Sequence, residues 1–277
     1  MTTDTSTFSA RRLSHVLGSV VPPKELSMPP SGSLSAKLWD SSTSLAQDAL
    51  NTLYIQGIAH GTLDPNNYGQ YSVQDAVYCS NAIESYNTAI GKAADGTIRA
   101  FLTARRDGYI KYKDNIFSQW HIGQPSAINP SPAAKQYMAF ESMVALRLPP
   151  LYLVIAMIPC ERLWSWLANQ VKPGPPSGNL YNFWINGNLN DSGAQKLETF
   201  INQHVNNIDA KLALGVYQGY MTGEGDFFRS AGGQSPLDRQ RPEYLVANAR
   251  ADALGYGLII HCLGDGNIPN RHAQRLE

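Results

Sequence analysis

The chain has 277 residues, of which 43% are hydrophobic and 10% aromatic. That is enough apolar material for one large core, and it excludes disordered and collagen-like classes. Lys+Arg and Asp+Glu both number 22, so the formal charge is zero. A neutral chain without a basic run has no electrostatic footprint for DNA or RNA, and no nucleic-acid partner is expected.

Residues 1–32, rich in Ser, Thr and Pro, read as an extension, with a short helix around Arg11 to Leu17. They contain no apolar h-region, so no secretory leader is expected. From Ser33, a plausible N-cap, Leu34, Leu38, Leu45, Ala49 and Leu53 recur at helical spacing until Gly57 and Gly61. Asp64-Pro65 restarts a helix running to about Ala93, and Asp95-Gly96 starts another ending near Trp120. Ser131-Pro132 opens a helix that stops at Pro149-Pro150. The apolar run Leu148 to Pro159 contains three prolines. It falls short of the ~20 residues needed to span a bilayer, so no membrane partner is expected. Further helices are predicted over 179–187, 190–213, 215–231 and 242–263. No segment alternates as a half-buried strand would. The fold class is therefore all-α: a single-domain bundle of eight to ten helices over 33–277.

Three cysteines, Cys79, Cys160 and Cys262, show no CxxC or Cys/His spacing. This argues against a disulfide framework or a structural zinc and suits a reducing, cytoplasmic setting. The six histidines are scattered and none follows a Glu by three residues, so no metal site is expected. Asp75 and Tyr78 share a helical face with Tyr71 and Ala82, which puts a carboxylate on a buried face. Glu224 and Phe227 also share a face, with Asp226 and Arg229 directed outward. Cys160 directly follows Pro159, which removes a helical hydrogen bond and kinks the axis. Read locally, each of these groups is either structural or chemical.

Their order along the chain decides more. "YIQGIAHGTLDPNNYGQYSVQDAVY" resembles the signature segment of the TenA/thiaminase II family. "AMIPCERLWSW" resembles its nucleophile segment, "LYNFWINGNLN" its Y-x-x-W-I-x-x-Y segment, and "GEGDFFRSA" its Y-E-x-x-F-W-x-x-A segment. The resemblance covers residues 33–231 and implies a haem-oxygenase-like fold, no cofactor, and a homo-oligomer, dimer or tetramer. It also implies Cys160 as nucleophile, Glu224 as catalytic acid and Asp75 as the carboxylate that grips an aminopyrimidine. Tyr78, Tyr137 and Phe227 would line the substrate pocket. Asn188 stands where the family has a tyrosine, Gly223 replaces the tyrosine before the acid, and Phe228 replaces a tryptophan. Asn188 is thus expected at the substrate, on a roomier and more polar side of the pocket.

The implied activity is hydrolysis of thiamin or a thiamin-derived aminopyrimidine, salvaging the hydroxymethyl-aminopyrimidine. The alternative is a family-like protein with an altered pocket for another small heterocycle. A metal-dependent oxygenase on the same fold is disfavoured by the ligand spacing. A transcriptional regulator is disfavoured by zero net charge and the lack of a helix-turn-helix signal.

Overall fold

The computed structural model describes residues 26–172 and 178–236. Within them ten α-helices follow one another: α1 (Leu34–Asp40), α2 (Thr43–Leu50), α3 (Leu53–His60), α4 (Pro65–Lys92) and α5 (Gly96–Gln119). They continue as α6 (Pro132–Arg147), α7 (Pro150–Val171), α8 (Asn182–Asn188), α9 (Ser192–Gln203) and α10 (Ala210–Ala231). No strand occurs among the described residues, as the lack of alternation predicts. The predicted helices at Arg11–Leu17 and 242–263, together with Cys262, lie outside the described residues.

Helix starts follow the capping residues. Ser33, Asp64, Asp95 and Ser131 each accept a backbone N–H from the first turn of their helix. Two boundaries differ from the sequence expectation. The pattern from Leu34 to Gly57 is three short helices, because hydroxyls compete for the backbone at each break. Ser42 Oγ donates to the Leu38 carbonyl at 2.7 Å, and Thr52 Oγ1 donates to Ala49 while capping Ile55 N–H. Likewise 190–213 is not one helix. It ends at Gln203, passes a 3₁₀ turn at Val205–Asn207, and restarts at Asp209, whose carboxylate accepts from Leu212 N–H at 2.7 Å.

Helices α4 and α5 form the most extensive pair, and α10 lies against α7, α6 and α2. At the centre runs α7, buried along nearly its whole length from Leu151 to Val171. Its length and mean hydropathy of 1.3 suffice to cross a membrane, but 94% of that window is buried against the other helices. It is the spine of the core. The helix continues through Pro159, and Cys160 behind it is 4% exposed.

Two charges on α7 are also buried, and both are paired. Arg162 makes a two-pronged contact with Glu198 of α9 at 2.6 and 2.7 Å and reaches Asp191 at 3.3 Å. The same nitrogen that reaches Asp191 also donates to the Ser27 carbonyl at 2.9 Å, and Ser27 N–H donates to Asp191. Part of the predicted extension is therefore tied to the bundle. Glu161 pairs with Arg105 of α5 at 2.6 Å.

Candidate active site

The long helices α4 and α5 enclose a cavity of about 180 Å³ with α7 and α8. Helical spacing sets its depth. On α4, Tyr68, Tyr71, Ser72 and Asp75 line it at intervals of three and four, so that Tyr68 is outermost and Asp75 innermost. From Trp120, which caps α5, Gln119, Ile116 and Tyr112 of that helix descend alongside them. Trp164 of α7 closes the inner side, and Phe183 and Trp184 of α8 form a side wall.

Asp75 is 3% exposed, which is tolerable for a carboxylate because Tyr112 donates its hydroxyl at 2.6 Å. Burial alone did not reveal this pairing in the sequence. Tyr109 and Tyr112 stand three apart on α5, a spacing that could have marked a polar edge facing Asp75.

One helical turn deeper lie the other groups. Tyr78 stacks on Tyr137 with ring centroids 4.7 Å apart and planes within 11°. Cys160 sits at this level, 3.8 Å from the Tyr109 hydroxyl. Glu224 is 2% exposed and held from two sides, by the Tyr137 hydroxyl at 2.9 Å and by the Trp164 indole N–H at 3.3 Å. Burial raises the Tyr137 hydroxyl well above its ordinary value, and the Glu224 carboxylate raises it further. Tyr78 is raised in the same way, by burial first and then by Tyr137. Both hydroxyls therefore stay protonated and act as donors through neutral pH.

Phe227 is buried with its ring centroid 4.5 Å from Tyr71 and 6.5 Å from Tyr137, bridging the cavity wall to the deeper level. Asn188 is buried too, but its amide nitrogen donates to the Trp184 carbonyl at 2.7 Å. The side chain is spent on its own helix, and the Trp184 ring forms the wall instead. Arg229, expected to point outward, is 8% exposed, and its guanidinium lies near Asp226 and the Asp48 carbonyl. Helix α10 is covered by α2 on that side, so the face is not free to solvate it.

Trp164 joins the two levels. Its ring lines the Asp75 cavity while its N–H holds Glu224. It stands four residues after Cys160, on the same face of α7, a spacing from which it could have been read in the sequence. Gly223 has an equally local role. The Tyr137 ring rests directly on its α-carbon, so a β-carbon at 223 would overlap the ring.

Among the described residues no group of three or more His, Cys, Asp or Glu side chains is arranged to hold a metal. His60 and His204 each bond the carbonyl four residues earlier.

Comparison with solved structures gives the fold. A TenA family transcription regulator from a Silicibacter species superposes with a TM-score of 0.64 at 14% identity, covering 73% of this chain and 98% of that one. A TenA homologue from Pyrococcus furiosus gives 0.63 at 17% identity over 72% and 99%. A TenA-like thiaminase, as it is named, from Sulfolobus solfataricus gives 0.56 at 13% identity over 73% and 97%. The architecture is thus the helical haem-oxygenase-like fold. No curated protein matches the chain. The TENA/THI-4/PQQC family profile matches residues 39–213, so most of the helical core and three of the four motifs lie within it, and the chain belongs to that family.

Proposed function

We propose that this protein hydrolyses thiamin or a thiamin-derived aminopyrimidine at its exocyclic methylene, in the cytoplasm, with Cys160 as nucleophile. The observation that carries the reading is Trp164, which lines the Asp75 cavity and also holds Glu224. One flat ring placed against it lies within reach of both carboxylates, with Cys160 one helical turn deeper on α7.

In this reading the Cys160 sulfur bonds to a ring carbon of the pyrimidine while Glu224 holds the proton on the adjacent ring nitrogen. Electrons flow through the ring and break the bond between the methylene and the leaving nitrogen, which departs with that pair. Water then adds to the methylene. Loss of the water's proton and of the ring–sulfur bond returns the thiolate and releases the hydroxymethyl product. Asp75, with one oxygen engaged by Tyr112, accepts from the exocyclic amino group. The stacked Tyr78 and Tyr137 and the neighbouring Phe227 give the ring a flat apolar surface.

The test is to incubate purified protein separately with thiamin and with the aminomethyl-pyrimidine, and to follow the hydroxymethyl-pyrimidine by chromatography. Its formation at a rate proportional to protein supports the reading; no product from either substrate sinks it. Should only binding be found, the altered-pocket reading gains, and the Tyr137 ring packed over Gly223 is the observation that favours it.

A further inference from the structure

Behind the level of Glu224 lies a second layer of buried polar groups that the proposed reaction leaves idle. Tyr137 and Glu141 stand four apart on α6, and Tyr220 and Glu224 four apart on α10. The hydrogen bond from Tyr137 to Glu224 fixes the first level, and Glu141 and Tyr220 occupy the next. Both are 0% exposed. Asn81 donates its amide N–H to Glu141 Oε2 at 3.0 Å, and Ser142 Oγ, donating to Asn81 Oδ1 at 3.2 Å, fixes which way that amide points. Glu141 Oε1 finds no hydrogen-bond partner among the described residues, and neither does the Tyr220 hydroxyl.

The Tyr220 ring is set edge-on to Tyr137 at 5.2 Å and tilted on Phe140 at 5.6 Å, so its hydroxyl is carried on a packed ring. Burial raises that hydroxyl well above its ordinary value, and Glu141, Tyr86, Cys160 and Glu224 raise it further. It therefore stays protonated, a donor within electrostatic reach of both the Cys160 sulfur and the Glu141 carboxyl. Cys160 already meets one such donor, the Tyr109 hydroxyl at 3.8 Å. Burial pushes the Glu141 carboxyl up to about 8, against the pull of Asn81 and Ser85 on α4. Tyr78 and Tyr86, also on α4, feel its charge. On α7, which packs on α6 as well, the ionisable groups at this depth are Cys160 and Glu161, and Glu161 is paired with Arg105 of α5. A carboxylate draws a hydroxyl proton more strongly than a neutral acid does.

We infer that Tyr220 is a shared donor that supports the Cys160 thiolate, and that Glu141 is the positioning residue that releases or claims it. With Glu141 neutral, the Tyr220 hydroxyl proton turns to the sulfur, beside that of Tyr109. With Glu141 ionised, it turns to the carboxylate, and Cys160 holds its own proton more tightly. No covalent bond changes apart from the ionisation of the two acids, which are coupled through one hydroxyl. Support for the thiolate is thus present below about 8 and is lost as pH rises through that value. The inference rests on the proposed reaction for the role of Cys160 as nucleophile, while the thiol itself titrates without any substrate.

The test uses the full chain with Cys79→Ser and Cys262→Ser, which leaves Cys160 as its only thiol. Its ionisation would be followed by ultraviolet thiolate absorbance against a Cys160→Ser blank. Tyr220→Phe removes a hydroxyl without breaking a hydrogen bond among the described residues, so the fold should hold. It should raise the thiol pKa by about one unit, making the thiolate about tenfold scarcer at neutral pH. Glu141→Gln keeps the shape of the side chain and cannot ionise. It should move the thiol titration the other way, to lower pH, and remove the coupled step. The double variant should match Tyr220→Phe alone, because Glu141 acts through that hydroxyl. A Cys160 that titrates identically, or not at all, in the parent and in Tyr220→Phe overturns the inference, and this arm stands even if Glu141→Gln does not fold. An equal shift from Glu141→Gln with and without the Tyr220 hydroxyl overturns it too. If the shifts appear but neither thiamin nor the aminomethyl-pyrimidine is turned over, the shared donor stands and the proposed reaction fails instead.

Discussion

At the residue scale, the account turns on how Glu224 is held. Its oxygens meet a tyrosine hydroxyl and an indole N–H, and the tyrosine can approach only because position 223 has no side chain. Gly223→Ala should therefore act through Tyr137. The ring must move, Glu224 loses one donor, and turnover should fall about 10- to 100-fold, the effect of losing one hydrogen bond to a charged group. Tyr137→Phe should give a similar loss without the steric term, so agreement between the two variants in kcat checks the mechanism. Glu141 on α6 is a different case: fully buried, it bonds Asn81 at 3.0 Å, and burial pushes its carboxyl up to about 8. The folded protein thus keeps a proton that the unfolded chain, with an ordinary carboxyl near 4.5, releases. The folded state binds more protons between these two values, so stability declines as pH rises from about 4.5 to about 8. The slope is at most about 1.4 kcal/mol per pH unit from this group. Glu141→Gln should flatten that part of the curve of Tm against pH; an unchanged slope would assign the decline to other groups.

At the element scale, caps and faces decided what the sequence could reveal. Asp64, Asp95 and Ser131 each precede a proline, a glycine or a fresh apolar period, and their helices begin where they stand. The break at Ser41–Ser42 was hidden because the leucine period runs straight through it, while the competing hydroxyl contact to Leu38 is a detail of three dimensions. The start of α10 was hidden in the same way: Asp209 reads as an ordinary polar residue until its carboxylate is seen on Leu212 N–H. Within the site, Asp75, Cys160 and Glu224 were legible because a family motif carries each. Tyr112 and Trp164, which hold Asp75 and Glu224, are marked in the sequence only by helical spacing, since their polar atoms matter once a partner from another helix is opposite. Asp209→Ala removes a cap and should cost about 0.5–2 kcal/mol, measured by denaturant unfolding. Because α10 also carries Glu224, the same variant should lose little activity per folded molecule if the cap is purely structural.

At the scale of the whole molecule, α7 is the common member. It carries Cys160 and Trp164 on one face and Arg162 on another, and Arg162 binds α9 and the Ser27 segment together. Glu198→Ala breaks the two-pronged contact and leaves the buried Arg162 with Asp191, at 3.3 Å, as its carboxylate partner, so it should destabilise the fold by about 3 kcal/mol, the lower end of the cost of breaking a buried pair. Replacing Arg162 and Glu198 by leucine together with Asp191→Asn, so that no buried charge of this cluster is left unpaired, should cost much less, which thermal unfolding of the two proteins would show. The central claim, that this helix presents a nucleophile to an aminopyrimidine, is tested most directly by Cys160→Ser. Circular dichroism and Tm should match the wild type, while turnover of thiamin or the aminomethyl-pyrimidine falls by orders of magnitude and Cys79→Ser remains active. Undiminished turnover in folded Cys160→Ser would contradict the account.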